Sequence, residues 1–167
     1  MLEAQSDVPL GSKLRVIMVV ARVVTFVSAI IAFAVMKTNN ATTNQYRLRY
    51  KDISSYRYAL LTMVVGVAYS LLQIPFAIYY LITGKRLVNR YAFLQFDFYG
   101  DKVTLVILAS GIGAVFGATT DLDRAYNAEN FGDFFSMAYL SAGFLLIGTV
   151  SSGVSSVISS MTLSKRE

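Results

Sequence analysis

The chain has 167 residues, a formal net charge of +5, and no cysteine, histidine or tryptophan. Disulfides, thiolate chemistry, Cys/His zinc sites and imidazole acid–base catalysis are therefore excluded. Hydrophobic residues make up 55% and charged residues only 15%, against about 25% charged in a typical soluble domain, so the composition is that of a membrane protein.

The charges are bunched. Residues 14–36 hold only Arg15 and Arg22, and residues 58–82, 103–120 and 134–163 hold none. A hydrocarbon core about 30 Å thick is crossed by about 20 apolar residues in a helix. Barrel strands would instead alternate in segments of about 10 residues, and these runs are continuous. A helix also satisfies its backbone within one segment, as hydrocarbon demands. The predicted fold is all-α, an integral membrane four-helix bundle with short loops. Its parts are a tail over 1–13, a membrane domain over 14–163 with spans near 14–36, 58–82, 100–120 and 134–160, and a tail over 164–167.

The first span follows Lys13 and Arg15 and ends near "AFA" (32–34), the pattern of a signal peptide. Its apolar run is too long for one and Arg22 interrupts it, so it is read as a retained span. A central Arg costs about 2.5–3.5 kcal/mol on insertion scales, and such residues usually face a partner. Snorkelling is the alternative, since Arg22 lies about 12 Å of helix past Leu14.

Loop 1 covers 37–57. Its "YRLRY" permits a short strand, and Asn40-Ala41-Thr42 is a glycosylation sequon a few residues past the span. In the second span, Gln73 is expected to bond a neighbouring helix, and Pro75 to kink the helix by removing one backbone donor. "TGKR" then supplies a helix stop.

The third span opens on "FDFYGDKVTLVIL" and runs in the same direction as the first. Counted from their outer ends, Arg22 and Asp101 differ by about 7–8 Å in depth, a gap that a long side chain and helix tilt can close. Lys102 is a competing partner for Asp101. Asp97 lies one turn earlier on the same face and reads as an interfacial acid. Further on, Ala109, Gly113 and Gly117 form a small-residue stripe, beside Ser110, Ala114 and Ala118. Loop 3 (121–133) is acidic, with Asp121, Asp123, Glu129 and Asp133 against Arg124. The fourth span aligns Gly148, Ser152, Ser156 and Ser160. Such stripes let helix backbones approach. Packing within the bundle, an oligomer face and a water-lined path all remain open.

Lys and Arg number eight on the side of the termini and loop 2, and six on the other side. That bias favours cytosolic termini. Tyr56 and Tyr58 on one side, and Tyr79, Tyr80, Tyr91, Phe93, Phe96, Phe98 and Tyr99 on the other, are placed as interfacial belts. No long basic run or basic helix face suggests nucleic acid, and membrane lipids are the expected surroundings. No catalytic constellation, phosphate loop, metal set or cofactor motif is present.

Several of these segments together resemble the CASP-like proteins, related to the plant Casparian strip membrane domain proteins. They are "LRVIMVVARVVTFVSAIIAFAVMKTNN", "YRY" with "AYSLLQI", "FDFYGDKVTLVILASGIGAVFGATTD" and the Ser-rich fourth span. The resemblance runs from about Lys13 to Leu163, and it makes Arg22 and Asp101 the characteristic charged residues. It implies a plant plasma-membrane protein with cytosolic termini that forms homo-oligomers, and hetero-oligomers with related proteins. It also implies a scaffold that organises a membrane domain or recruits cell-wall-modifying partners. The fold is more distantly similar to MARVEL proteins of membrane apposition and trafficking. The chain lacks the loop cysteines and the loop 1 segment of strip-forming members, so the resemblance is to the broader family.

Two functions follow. One is a non-enzymatic membrane scaffold held together by an Arg22–Asp101 bridge. The other is an oligomeric transport or channel protein for a small solute or ion, with a MARVEL-like trafficking factor as a further alternative. A pair sealed inside one protomer favours the first. A pair on a hydrated path or an assembly's axis favours the second.

Overall fold

The computed structural model describes residues 7–42, 47–83, 91–126 and 131–164. Four helices account for nearly all of them: α1 (Asp7–Thr38), α2 (Ser54–Thr83), α3 (Tyr91–Tyr126) and α4 (Gly132–Ser164). Each contains a segment long and apolar enough to cross a membrane. The protein is an all-α membrane bundle, with one small addition. Strands β1 (Asn40–Thr42) and β2 (Arg47–Arg49) pair antiparallel between α1 and α2, with Asn40 opposite Arg49 and Thr42 opposite Arg47. A short 3-10 turn, Tyr50–Asp52, leads into α2. Asp52 accepts the Arg49 backbone N–H at 3.1 Å.

The helices extend past the expected apolar runs. α2 begins at Ser54 rather than near 58, and α3 begins at Tyr91 and continues to Tyr126. Once nucleated, a helix adds one hydrogen bond per residue fixed, so it propagates beyond the hydrocarbon into polar turns. Charged side chains at the ends reach water. Lys37 in the last turn of α1 and Asp133 in the first turn of α4 also suit the helix dipoles. α2 passes through Pro75 without breaking.

Each helix packs on two neighbours. α1 lies between α2 and α4, and α3 lies between the same two from the other side. α1 and α3 therefore face each other across the bundle's diagonal. Large aliphatic residues point outward, among them Val20, Val27, Leu61, Leu71, Val106 and Val150. In water this surface would aggregate; in a bilayer it contacts lipid. Small residues fill the contacts inside, including Ala29, Ala32, Ala59, Ala138 and Ala142, because association in lipid depends on close packing.

The interior divides into two halves. The half nearest the β hairpin is apolar: Met36, Tyr56, Met63, Leu108, Val115, Phe131, Phe134, Phe135 and Leu145 form one buried cluster. Tyr56 is fully buried there and is no part of an interfacial belt. Its hydroxyl pairs with Thr119 Oγ1 at 2.8 Å, and its ring lies 5.9 Å from that of Phe134. Having a partner for its hydroxyl makes this burial affordable for a Tyr. Tyr58, Tyr79 and Tyr99 are exposed, as belt residues should be. The side chains of Tyr80, Tyr91, Phe93, Phe96 and Phe98 lie outside the described residues. The half nearest the termini is polar.

Candidate functional site

The polar half is built around Arg22. This residue is 6% exposed and Asp101 is 3% exposed. Arg22 Nη2 stands 3.5 Å from Asp101 Oδ2. The pair spans the diagonal between α1 and α3, which explains why a long guanidinium side chain is needed. Lys102 is exposed while Asp101 is buried.

All four helices contribute. Arg22 Nε donates to Ser155 Oγ of α4 at 3.3 Å, and Nη1 donates to the Gln73 carbonyl of α2 at 3.5 Å. A carbonyl has two acceptor positions, so Gln73 can serve both its helix and Arg22. Tyr69 donates its hydroxyl to Asp101 Oδ1 at 2.8 Å. Gln73 Nε2 in turn donates to the Tyr69 hydroxyl. The result is a directional chain, from amide to phenol to carboxylate, ending on the carboxylate that faces Arg22. The contacts of Arg22 at 3.3–3.5 Å are longer than the roughly 2.7–2.9 Å of a tight charge-assisted bond. The guanidinium thus contacts α2, α3 and α4 at once. Leaving either charge alone in the interior would cost about 3–5 kcal/mol.

A small cavity of about 10 Å³ adjoins the pair, lined by Arg22, Thr25, Tyr69, Ser70, Gln73, Asp101, Thr104, Ser152 and Ser155. Every one of these side chains is polar. Sequence reading singles out Arg22, Gln73, Asp101 and Ser152 among them but misses Tyr69, Thr25, Ser70, Thr104 and Ser155. The spacing of Tyr69 and Gln73, one helical turn apart, was the available signal.

Gly100 also belongs to the site. A Cβ at this position would lie 2.6 Å from the Tyr69 hydroxyl and 2.8 Å from its Cε2. Only glycine lets the Tyr69 ring lie against α3 and reach the adjacent carboxylate.

The other singled-out residues separate. Gly148, Ser152 and Ser156 are buried. A Cβ on Gly148 would sit 3.4 Å from Ser28 Cβ, and Thr25 Oγ1 donates to the Gly148 carbonyl at 3.1 Å. This stripe packs α4 on α1 within the protomer. Ser160, half-buried, donates back to the Ser156 carbonyl at 2.9 Å. Ala109, Gly113 and Gly117 all face outward, and a Cβ on either glycine would meet nothing within 4 Å. The glycines that bring α2 and α3 together are instead Gly66, opposite Leu108, and Gly111, where a Cβ would collide with Thr62. Asp97 is on α3, but its side chain lies outside the described residues. Asn40 is exposed at the start of β1 and donates to the Thr38 carbonyl at 3.2 Å, close to the end of α1.

No group of three or more metal-ligating side chains occurs among the described residues. The arrangement holds a charge pair among buried polar side chains of all four helices.

The Casparian strip membrane protein domain matches residues 11–151. Arg22, Tyr69, Gln73, Gly100 and Asp101 fall inside that match and Ser155 falls beyond it. The chain is 39% identical to CASP-like protein 4D1 of Ricinus communis, over 91% of this chain and 94% of the relative. It is 33% identical to CASP-like protein 4D1 of Glycine max, over 100% and 98%, and 35% identical to CASP-like protein 4D2 of Arabidopsis thaliana, over 92% of each. No solved structure matches. With four membrane-crossing helices, a diagonal Arg–Asp pair and this extent of similarity, the chain belongs to the CASP-like family of plant multi-pass membrane proteins.

Proposed function

We propose that the protein is a non-enzymatic plasma-membrane scaffold. It assembles with copies of itself and with related proteins, organises a membrane domain and recruits cell-wall-modifying partners. The observation that carries this reading is the closure of the interior within one protomer. Arg22 and Asp101 are buried among four helices of a single chain, and the apolar cluster from Met36 to Leu145 fills the other half of the bundle. A transport path within one protomer would have to pass through that cluster. Membrane helices that associate laterally do so through small residues, and the outward Ala109–Gly113–Gly117 face of α3 supplies such a surface. Both termini lie on the cytosolic side, a reading supported by the greater number of Lys and Arg there.

Proximity labelling from a tagged protein in the native plant membrane tests this reading. A stable neighbour set containing related four-span proteins and wall-modifying enzymes is expected. A protein that diffuses without stable neighbours, or that carries solute flux in liposomes abolished by Arg22→Leu, would sink it.

A further inference from the structure

We infer that the cavity beside the Arg22–Asp101 pair is a binding site for one resident water molecule, anchored by Gln73. Two independent observations converge. The cavity, about 10 Å³, is at the lower edge of what a single water requires, and Gln73 lines it together with Arg22, Tyr69 and Asp101. Gln73 is 3% exposed, and its Oε1 is the buried side-chain atom without a hydrogen-bond partner among the described residues.

The orientation of the Gln73 amide follows from its neighbours. The Tyr69 hydroxyl spends its hydrogen on Asp101 Oδ1, so it can only accept from Gln73, and it therefore takes the Nε2 side of the amide. That leaves the carboxamide oxygen for another donor. The guest must then donate, be small, and tolerate a neighbouring guanidinium. Water meets all three conditions. Occupancy stops at one molecule, because a volume of about 10 Å³ has no room for a second. The site is a hydrated joint, not a segment of a channel, and it is independent of the scaffold reading.

Water-edited solid-state NMR on labelled protein in lipid bilayers tests this inference. Magnetisation from water should reach Gln73 Cδ and Arg22 Cζ several-fold faster than it reaches the Val115 and Leu108 methyls. Equally slow transfer to all four means a dry joint and overturns the site. Equally fast transfer means a water column and overturns the single resident molecule. Gln73→Met, similar in length but without the amide oxygen, should slow transfer to Arg22 several-fold. Unchanged transfer in a folded Gln73→Met protein removes Gln73 as the anchor. If that variant does not fold, the comparison of sites in the native protein decides alone.

Discussion

Tyr69 reaches Asp101 because the residue beside Asp101 has no side chain. The hydroxyl sits 2.8 Å from Oδ1, and a Cβ on Gly100 would stand 2.6 Å from that same hydroxyl. One missing methyl group on α3 thus sets the position of a donor on α2, and through it the carboxylate that meets Arg22.

Gly100→Ala should therefore destabilise the bundle by about 1–3 kcal/mol, the usual range for overpacking. Tyr69→Phe keeps the ring and removes the donor, and should cost about 1.5–3 kcal/mol as a lost bond to a charged group. Because the two changes act on one contact, the double variant should lose less than the two losses combined. Thermal unfolding of the purified proteins in one detergent checks this. Simple additivity would separate Gly100 from Tyr69.

Arg22→Asp and Asp101→Arg should each impair folding and surface delivery, since each leaves two like charges facing one another in the bundle. The penalty for breaking such a buried pair is about 3–5 kcal/mol. The reciprocal double swap should recover part of the loss. Full recovery is not expected, because Tyr69, Gln73 and Ser155 are arranged for a carboxylate on α3 and a guanidinium on α1. Surface-to-total ratios of tagged variants provide the measurement, and two neutral single variants would discredit the bridge.

Gly111 and Gly113 are two residues apart on α3 and should behave oppositely. A Cβ at Gly111 collides with Thr62, while one at Gly113 meets nothing. Gly111→Leu should destabilise the isolated protomer by more than about 3 kcal/mol, as a severe core overpacking. Gly113→Leu should leave its stability within about 0.5 kcal/mol, the range of an open surface position. In the membrane, Gly113→Leu should weaken cross-linking between copies. Undiminished cross-linking would rule out this face of α3 as the lateral contact.

Tyr56→Phe should cost about 1 kcal/mol, the net worth of a typical hydrogen bond. The ring contact with Phe134 survives the change, and Thr119 keeps its bond to the Val115 carbonyl at 2.7 Å. Thermal unfolding measures the difference, and a loss several times larger would mean that the hydroxyl supports more than Thr119.

The sequence alone determined the four spans, their alternating direction and the candidacy of Arg22 and Asp101. Long uncharged runs have one stable form in hydrocarbon, and a central Arg in such a run needs an answering charge. Its edges were less legible: polar turns at 54–57 and 121–126 continue the helices because hydrogen bonding propagates past the apolar stretch. What the tertiary structure decided is which face of each helix looks inward. A helix that is apolar nearly all round carries little signal of its buried side, and lipid does not drive apolar faces together as water does. So Tyr56, at the edge of an apolar run where an interfacial residue is expected, is core. Gly111 faces Thr62 across the α2–α3 contact, while Gly113 faces outward. Tyr69, Ser155 and Gly100 joined the charge pair only when four helices brought them within reach of one guanidinium.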